Sequence, residues 1–265
     1  MAYFADTQRK TFRNTNTVNY NFKDIIKNKD HNLNVLVGEE TINKKSSLND
    51  DRLSFFPVSF TASQAWALSS QGTPYSVDKY TNADDNLLSY FGRVNYDFQS
   101  KYLISGTFRA DGSSKFSKGN RWGYFPSAAV AWRISSEKFM EKTQNWLDDL
   151  KIRASYGLVG NDRISSKRFP YLTSINVSNS GATAWRYLHG KIVESVIGAD
   201  NLKWEKGVNW NIGVDFSMFD NIFSGSLNYY NRKQQDLLGD YNVSVPPYLF
   251  ASTFVNVGTM RNTGF

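Results

Sequence analysis

The sequence predicts an all-β protein arranged as an antiparallel up-and-down meander, and three observations support this prediction. Polar and apolar residues alternate with a period of two over most of the chain, which places them on opposite faces of β-strands. Short polar turn signals separate successive alternating segments, as in hairpins. Strands do not alternate with long helical segments, which would be typical of a parallel sheet.

The clearest alternation runs from Leu202 to Arg232. Asp220 and Asn221 form a short turn signal that divides this stretch into two strands. At ~3.3 Å per residue, the first strand spans roughly 45–50 Å, whereas most strands have about 5–6 residues. A strand of this length is typical of a membrane barrel, in which it crosses the bilayer at a tilt and continues into an extracellular wall. The apolar side of the first strand comprises Trp204, Val208, Trp210, Ile212, Val214, Phe216 and Met218.

About eight or nine strands follow from the same pattern along the chain. They cover, in order, residues 18–22, 33–37, 88–98, 102–109, 124–134, 150–158, 204–218, 223–232 and 253–265. Pro126 is expected at the start of its strand, because proline is disfavoured inside a sheet. A short helix capped by Ser135 or Ser136 is expected next. Residues 44–86 and 160–201 lack a clear period and are predicted to be long extracellular loops.

Composition limits the function of this chain of 265 residues. Its mean hydropathy is −0.49, and it contains no apolar run of about 18 residues that would form a transmembrane helix. Aromatic residues make up 15% of the chain, which suits the aromatic girdles of a membrane barrel but also an aromatic-rich sandwich or lectin. The net charge is +7, but no basic helix concentrates it, so nucleic-acid binding is not predicted.

Catalytic and metal-binding patterns are not found. Asp84-Asp85 and Asp148-Asp149 are adjacent pairs, and adjacent side chains on a strand point apart, so neither pair can act as a general acid and base. The two histidines lie in loop-like sequence, and the chain contains no cysteine. The sequence therefore predicts no enzyme activity, no cofactor and no metal site.

Four long motifs resemble the SusC/RagA family of TonB-dependent outer-membrane transporters. The first reads RADGSSKFSKGNRWGYFPSAAVAWRISSEKF (109–139), and the second reads LKIRASYGLVGND (150–162). The third occupies residues 201–238, and the fourth, VNVGTMRNTGF, occupies residues 255–265. The motifs occur in the order and spacing of the family's barrel, and the resemblance covers the chain from about Leu87 onward.

The resemblance implies that residues 1–265 form part of a transmembrane barrel of about 22 strands in the cell outer membrane. The family's signal peptide, N-terminal extension, TonB box, plug and remaining strands are expected to be absent from this stretch. The family imports large nutrients, so an oligosaccharide or peptide is the expected substrate. A SusD-like surface lipoprotein, TonB acting through the absent N-terminal region and outer-membrane lipid are the expected partners.

Candidate site residues fall into two groups. Aromatic side chains in loops stack on sugars and pack at interfaces, so we expect them to contact ligand or partner. These aromatic candidates are Trp66, Tyr75, Trp122, Trp185 and Tyr187. Charged residues on the polar strand faces are expected to line the lumen. These lumen candidates are Arg109, Arg153, Glu205 and Asp215. A soluble carbohydrate-binding or adhesive β domain, and a non-functional gene fragment, remain the alternatives at this point.

Overall fold

A computed structural model describes most of the chain. The described residues are 2–24, 28, 30–81, 84–164, 171, 174–176, 193–196, 199–243 and 252–265. The chain divides into two compact units, of which the smaller comprises Met1–Asn14 and Thr41–Leu87. The larger comprises Thr15–Glu40 and Leu88–Phe265. No helix among the described residues is long and apolar enough to cross a membrane.

Strands dominate both units. In chain order they are β1 (Ala2–Asn21), β2 (His31–Ser54), β3 (Thr73–Thr81), β4 (Asp85–Phe98), β5 (Tyr102–Ser113), β6 (Trp122–Arg133), β7 (Leu147–Asn161), β8 (Ser174–Asn176), β9 (Val193–Val196), β10 (Glu205–Met218), β11 (Phe223–Gln235), β12 (Leu238–Asn242), β13 (Ser252–Asn256) and β14 (Thr259–Gly264). The main sheet has the order β1-β2-β4-β5-β6-β7-β10-β11-β14. Neighbouring strands of the main sheet from β5 to β14 are all antiparallel, so the predicted meander is confirmed.

The two shortest connections of the meander lie at one end of its strands, where a longer connection, residues 134–146, joins β6 to β7. Short turns join β4 to β5 and β10 to β11, and non-glycine residues adopt a positive φ there, including Gln99 (53°) and Asp220 (54°). Both turns were predicted from sequence and are confirmed. Much longer connections follow β5, β7 and β11 at the opposite end of the strands. We call the two ends of the larger unit the turn end and the loop end.

The smaller unit corrects one prediction. Residues 44–86, expected to be a loop, contain the end of β2 and the whole of β3, which pair from Ser47 with Thr81 to Ser54 with Thr73. A short helix, α1 (Ala62–Ala67), lies between them and has a capping box formed by Thr61 and Gln64. Isolated aromatic and polar residues hid the period of two in this segment, because neither face of these strands is uniformly apolar.

Three local predictions in the larger unit are also wrong. Residues 160–201, expected to be a loop, contain the short strands β8 and β9, which pair with each other. Pro126 lies inside β6, opposite Phe108 of β5. The ladder with β7 begins one residue later, at Ser127, so the missing proline N–H is tolerated there. The segment after β6 forms two 3₁₀ helices, Ile134–Ser136 and Lys138–Thr143, and no serine side chain caps either of them.

The most deeply buried apolar side chains of the larger unit gather mainly at the loop end. We define the loop-end core as Phe116, Phe125, Leu202 and Trp204, each at most 5% exposed. The ring of Phe125 lies over Gly123 and Gly160, where a Cβ atom would overlap it. Strand alternation places Phe125 on the polar side of β6, where a large ring needs additional space. Gly123 and Gly160 provide that space because they have no side chains.

We expect Gly160→Ala to lower the free energy of unfolding by about 1–3 kcal/mol, because the added methyl group collides with the Phe125 ring. The measurement is the denaturant midpoint of the protein in detergent. Gly106→Ala is the matched control, since a Cβ at Gly106 meets nothing within 4 Å. Equal losses in the two variants would contradict the packing argument.

Candidate functional site

The larger unit presents large apolar side chains to its surroundings on one face of the sheet. We call this the outer face; it includes Phe108 (52% exposed), Tyr124 (57%) and Leu227 (70%). The central apolar residues of β10 behave in the same way, since Trp210, Val214 and Phe216 are only half-buried. Exposed apolar residues on this scale mark a surface that meets lipid or another apolar partner.

Aromatic residues on the outer face form two rows. Along a strand the two rows are six residues apart in β5 and β11, as with Tyr102 and Phe108, and eight apart in β6 between Tyr124 and Trp132; Trp122 lies two residues further toward the loop end. That separation corresponds to roughly 20–26 Å along the strand, close to the ~25 Å apolar band between the aromatic girdles of outer-membrane barrels. The loop-end row is Tyr90, Phe108, Trp122, Tyr124, Trp210, Tyr229 and Phe265, and the turn-end row is Phe98, Tyr102, Trp132, Phe216 and Phe223.

The opposite, inner face is polar and ion-paired. Arg153 of β7 contacts Asp215 of β10 through Nε–Oδ2 at 3.1 Å, and its Nη2 donates to Asn228 Oδ1 at 2.6 Å. Lys151 Nζ lies 3.2 Å from the same carboxylate. Gly213 leaves room for the guanidinium, since a Cβ there would lie 3.1 Å from Arg153 Nε. Arg153, Lys151 and Asp215 from neighbouring strands therefore form one ion-paired network. The sequence alone identified Arg153 and Asp215 only as separate charged residues on the polar strand faces.

Arg109 forms a second inner-face cluster nearer the loop end. Its Nε donates to Asp111 Oδ1 at 2.8 Å, its Nη2 donates to the fully buried Ser89 at 3.0 Å, and its guanidinium lies over the Phe91 ring. Glu205 is the first residue of β10 and lies on the same face of that strand as Asp215. It is buried, and its carboxylate accepts a hydrogen bond from the Leu238 backbone N–H at 3.5 Å. The structure therefore brings Arg153 and Asp215 together, and leaves Arg109 and Glu205 in separate environments.

Between these clusters the inner face has a shallow polar groove of about 640 Å³. Its floor carries the small side chains Ser127 and Ser155, and Asn209 and Asn211 add amide groups from β10. Hydroxyl and amide groups can donate and accept hydrogen bonds, but no acid and base are positioned on it for catalysis. No group of three or more histidine, aspartate or glutamate side chains in the described part of the chain could hold a metal.

The aromatic candidates have different surroundings. Trp66 lies in α1 of the smaller unit, is 62% exposed and stacks on Phe4 with ring centroids 4.5 Å apart. Trp122 begins β6, is 43% exposed and stacks on Tyr90. Tyr75 belongs to β3, where only the backbone is described. Trp185 and Tyr187 lie outside the described residues.

Two features were not found from sequence. Trp204 shares the parity of Trp210 and was predicted on the apolar, lipid-facing side of the same strand, but it is 5% exposed and its Nε1 donates to Arg121 O at 2.9 Å. The expectation is wrong because β10 begins at Glu205, so its alternation does not extend to residue 204. Glu137, at the turn end, accepts from the Tyr102 hydroxyl at 2.6 Å and from Trp132 Nε1 at 3.1 Å.

We expect Asp215→Asn to lower the stability of the protein in detergent by about 1–3 kcal/mol, because it leaves Arg153 and Lys151 without their shared carboxylate. Arg153→Lys, which keeps the charge but loses the two-nitrogen contact with Asp215 and the bond to Asn228, should cost less. The measurement is thermal unfolding, and an unchanged midpoint for Asp215→Asn would show that the network contributes nothing.

A pH dependence is expected from Glu137, which lies outside the strands. Hydrogen bonds from Tyr102 and then Trp132 hold the pKa of Glu137 below its ordinary value, and the nearby Lys101 charge acts in the same direction. Since its pKa is lowered in the folded state, this stabilisation is present above the ordinary glutamate pKa and is lost as the pH falls through the lowered one. The difference in melting temperature between the wild type and Glu137→Gln should therefore be present at pH 6 and shrink in acid. A difference that grows in acid would contradict this assignment.

Comparison with known proteins places the chain in one family. The family described as TonB dependent receptor-like, beta-barrel, matches residues 2–265. The TonB-dependent receptor SusC of Bacteroides thetaiotaomicron is 40% identical over 184 residues, which are 68% of this chain and 18% of SusC. The TonB-dependent receptor P3 of Formosa agariphila is 39% identical over 183 residues, which are 69% of this chain and 18% of P3. The chain thus spans under a fifth of the length of these relatives.

Solved structures agree with the sequence relatives. The RagAB peptide transporter superposes with a TM-score of 0.80 at 29% identity, over 99% of this chain and 28% of that one. The siderophore receptor PirA of Pseudomonas aeruginosa shares the fold, with a TM-score of 0.57 at 13% identity over 98% of this chain and 39% of PirA. These matches overturn the soluble lectin alternative. The chain belongs to the TonB-dependent receptor β-barrel family, is SusC/RagA-like, and is an outer-membrane barrel wall rather than an enzyme.

Proposed function

We propose that this chain forms barrel wall and extracellular loops of a transporter that imports an oligosaccharide or a peptide across the outer membrane. The observation that supports this most is the separation of the two sheet faces. Exposed apolar residues and two aromatic rows cover the outer face, whereas arginine, asparagine and serine side chains cover the inner face. A wall of this kind keeps lipid outside and offers a hydrated, hydrogen-bonding surface to what passes inside.

The substrate class follows from chemistry and from similar proteins. Amide and hydroxyl groups on the inner face match the hydrogen-bonding needs of sugars and of peptide backbones equally well. One similar structure is that of the RagAB peptide transporter, whose sequence is 29% identical to this chain. Oligosaccharides and peptides are therefore both proposed substrate classes, and growth experiments distinguish between them.

Partners are part of the proposal. A SusD-like surface lipoprotein would deliver substrate at the loop end, and TonB would supply energy through receptor segments other than the strands described above. Arg109, Arg153, Glu205 and Asp215 would line the lumen side of the wall. Among the aromatic candidates, Trp66 has exposed ring surface for ligand or lipoprotein, and Trp122, at the loop end of the outer face, has exposed ring surface for the lipoprotein. We extend the role of ligand or partner contact to Tyr75, Trp185 and Tyr187.

Disruption of the gene in its own bacterium tests this function. We expect growth to fail on either oligosaccharides or oligopeptides as the nutrient, but to persist on the corresponding monomers, which cross the outer membrane by other routes. In the receptor containing this chain, Trp66→Ala should weaken binding of that substrate or of the lipoprotein, and Trp122→Ala binding of the lipoprotein, about 5–30-fold, by loss of about 1–2 kcal/mol of aromatic packing. The measurement is calorimetric titration of the receptor in detergent.

Trp146→Ala is the matched control, because Trp146 is similarly exposed (44%) but follows the 3₁₀ helices at the turn end. Unchanged growth on every polymer after gene disruption would contradict the import function. Normal import with unchanged binding by the Trp66 and Trp122 variants would contradict only the residue assignment.

A further inference from the structure

Cations on the strands of the larger unit are distributed unequally between the two faces. In the described strands β4–β7, β10 and β11, most arginines and lysines fall on the inner face with Ser105, Ser155 and Asn209. These inner-face cations are Arg93, Arg109, Arg133, Lys151, Arg153 and Arg232. The exceptions on the outer face are Lys206 and Lys233, together with Arg261 of β14. All three lie at the loop end.

Register brings these three outer-face cations together. Lys233 of β11 is directly opposite Arg261 of β14, and it is also opposite Val208 of β10, which places Lys206 diagonally next to it. Directly opposed Cβ atoms are about 4.5–5.5 Å apart and diagonal neighbours about 7–8 Å apart. We call Lys206, Lys233 and Arg261 the outer basic cluster.

The outer basic cluster has no counter-charge within ion-pair distance among the residues that the structure describes. None of the ion pairs found among the described residues includes Lys206, Lys233 or Arg261. Like charges directly opposed on neighbouring strands destabilise a sheet. By contrast Arg109, Arg133 and Arg153 on the inner face all contact a carboxylate. An anion bound at this face would offset the repulsion between the opposed cations.

An aromatic cluster adjoins these cations on the same face. Trp210 contacts Tyr229 with ring centroids 5.3 Å apart, and Tyr229 contacts Phe265 at 5.0 Å. These rings belong to the loop-end row and lie on the side of the cations that faces the centre of the sheet. Long loops are extracellular in outer-membrane barrels, so the cations lie at the level of the outer-leaflet head groups.

We propose that the outer basic cluster binds the phosphate of an anionic lipid in the outer leaflet, such as the phosphorylated sugar of lipopolysaccharide. Arg261 would contact two phosphate oxygens with its guanidinium, and the two lysines would add point charges. The bound phosphate removes the repulsion between Lys233 and Arg261, while the aromatic cluster packs against the sugar and the first carbons of the acyl chains. The proposal rests on the outer-membrane location of the chain and not on the substrate that it imports.

The position of the cluster distinguishes lipid from a soluble anion as its occupant. The three cations are on the face that also bears the exposed apolar band, and the polar groove lies on the opposite face. A nutrient that passes along the inner face does not reach them. A lipid head group does, because its phosphate and its acyl chains meet the basic and the apolar parts of this face at the same time.

The test uses the receptor containing this chain, purified from outer membranes in mild detergent. Purified lipopolysaccharide is titrated into the wild type and into Lys233→Gln/Arg261→Gln, with binding measured by native mass spectrometry. Each cation near an anionic lipid surface contributes about fivefold to affinity, so the double variant should bind about twentyfold more weakly. Arg232→Gln is the matched control, because it removes one positive charge from the same strand on the opposite face.

Stability provides an independent readout. In detergent without anionic lipid, Lys233→Gln/Arg261→Gln should melt at the same or a higher temperature than the wild type, because a repulsion has been removed. Added lipopolysaccharide should raise the melting temperature of the wild type and leave that of the double variant almost unchanged. A double variant that is strongly destabilised without lipid would overturn the proposal, since the two cations would then serve the fold.

Two further outcomes would also overturn it. One is equal lipopolysaccharide binding by the wild type, the double variant and Arg232→Gln. The other is full displacement of lipopolysaccharide from the wild type by an equal concentration of inorganic phosphate, which would identify a site for free phosphate. Loss of lipid binding with normal nutrient uptake would support the proposal while leaving the import function intact.

Discussion

The backbone hydrogen-bond ladder between neighbouring strands is the constraint on which the rest of this structure depends. Inside a bilayer no water is present to satisfy a backbone N–H or C=O group, so each must pair with the next strand. β10 shows how completely this is achieved, since it is paired with β7 on one side and β11 on the other from Lys206 to Met218. Once the ladder is continuous, alternation of side chains between two faces follows from strand geometry.

Each face then meets a different solvent, and its residues match that solvent. The outer face exposes aliphatic residues between two aromatic rows, which suits hydrocarbon bordered by head groups. On the inner face, Asp215 is shared by Arg153 and Lys151, so charges that would be costly next to lipid are paired where water can reach them. Gly213 contributes by leaving space for the arginine instead of adding a side chain of its own.

The loop end is organised differently from the wall. Phe116, Leu202 and Trp204 form a compact apolar core, and the β5–β6 loop is tied to the segment before β10 by the bond from Ser117 Oγ to Asp200 O, 2.7 Å. Such a core fixes long loops against one another and so gives the surface at the loop end a defined shape. The barrel wall therefore excludes lipid, whereas the loop-end core holds the loops in position.

The sequence by itself determined the antiparallel meander, the two faces of its strands and the family, because a period of two is a local property that any residue shares with its near neighbours. It did not find the strands within residues 44–86, whose faces are not uniformly apolar. Only the tertiary structure decided which side chains meet across strands. Strand register decides the clustering of Lys206, Lys233 and Arg261 and the contact of Glu137 with Tyr102 and Trp132. The burial of Trp204 depends on the path of the chain just before β10. Register joins residues far apart in sequence, so no local pattern reports it.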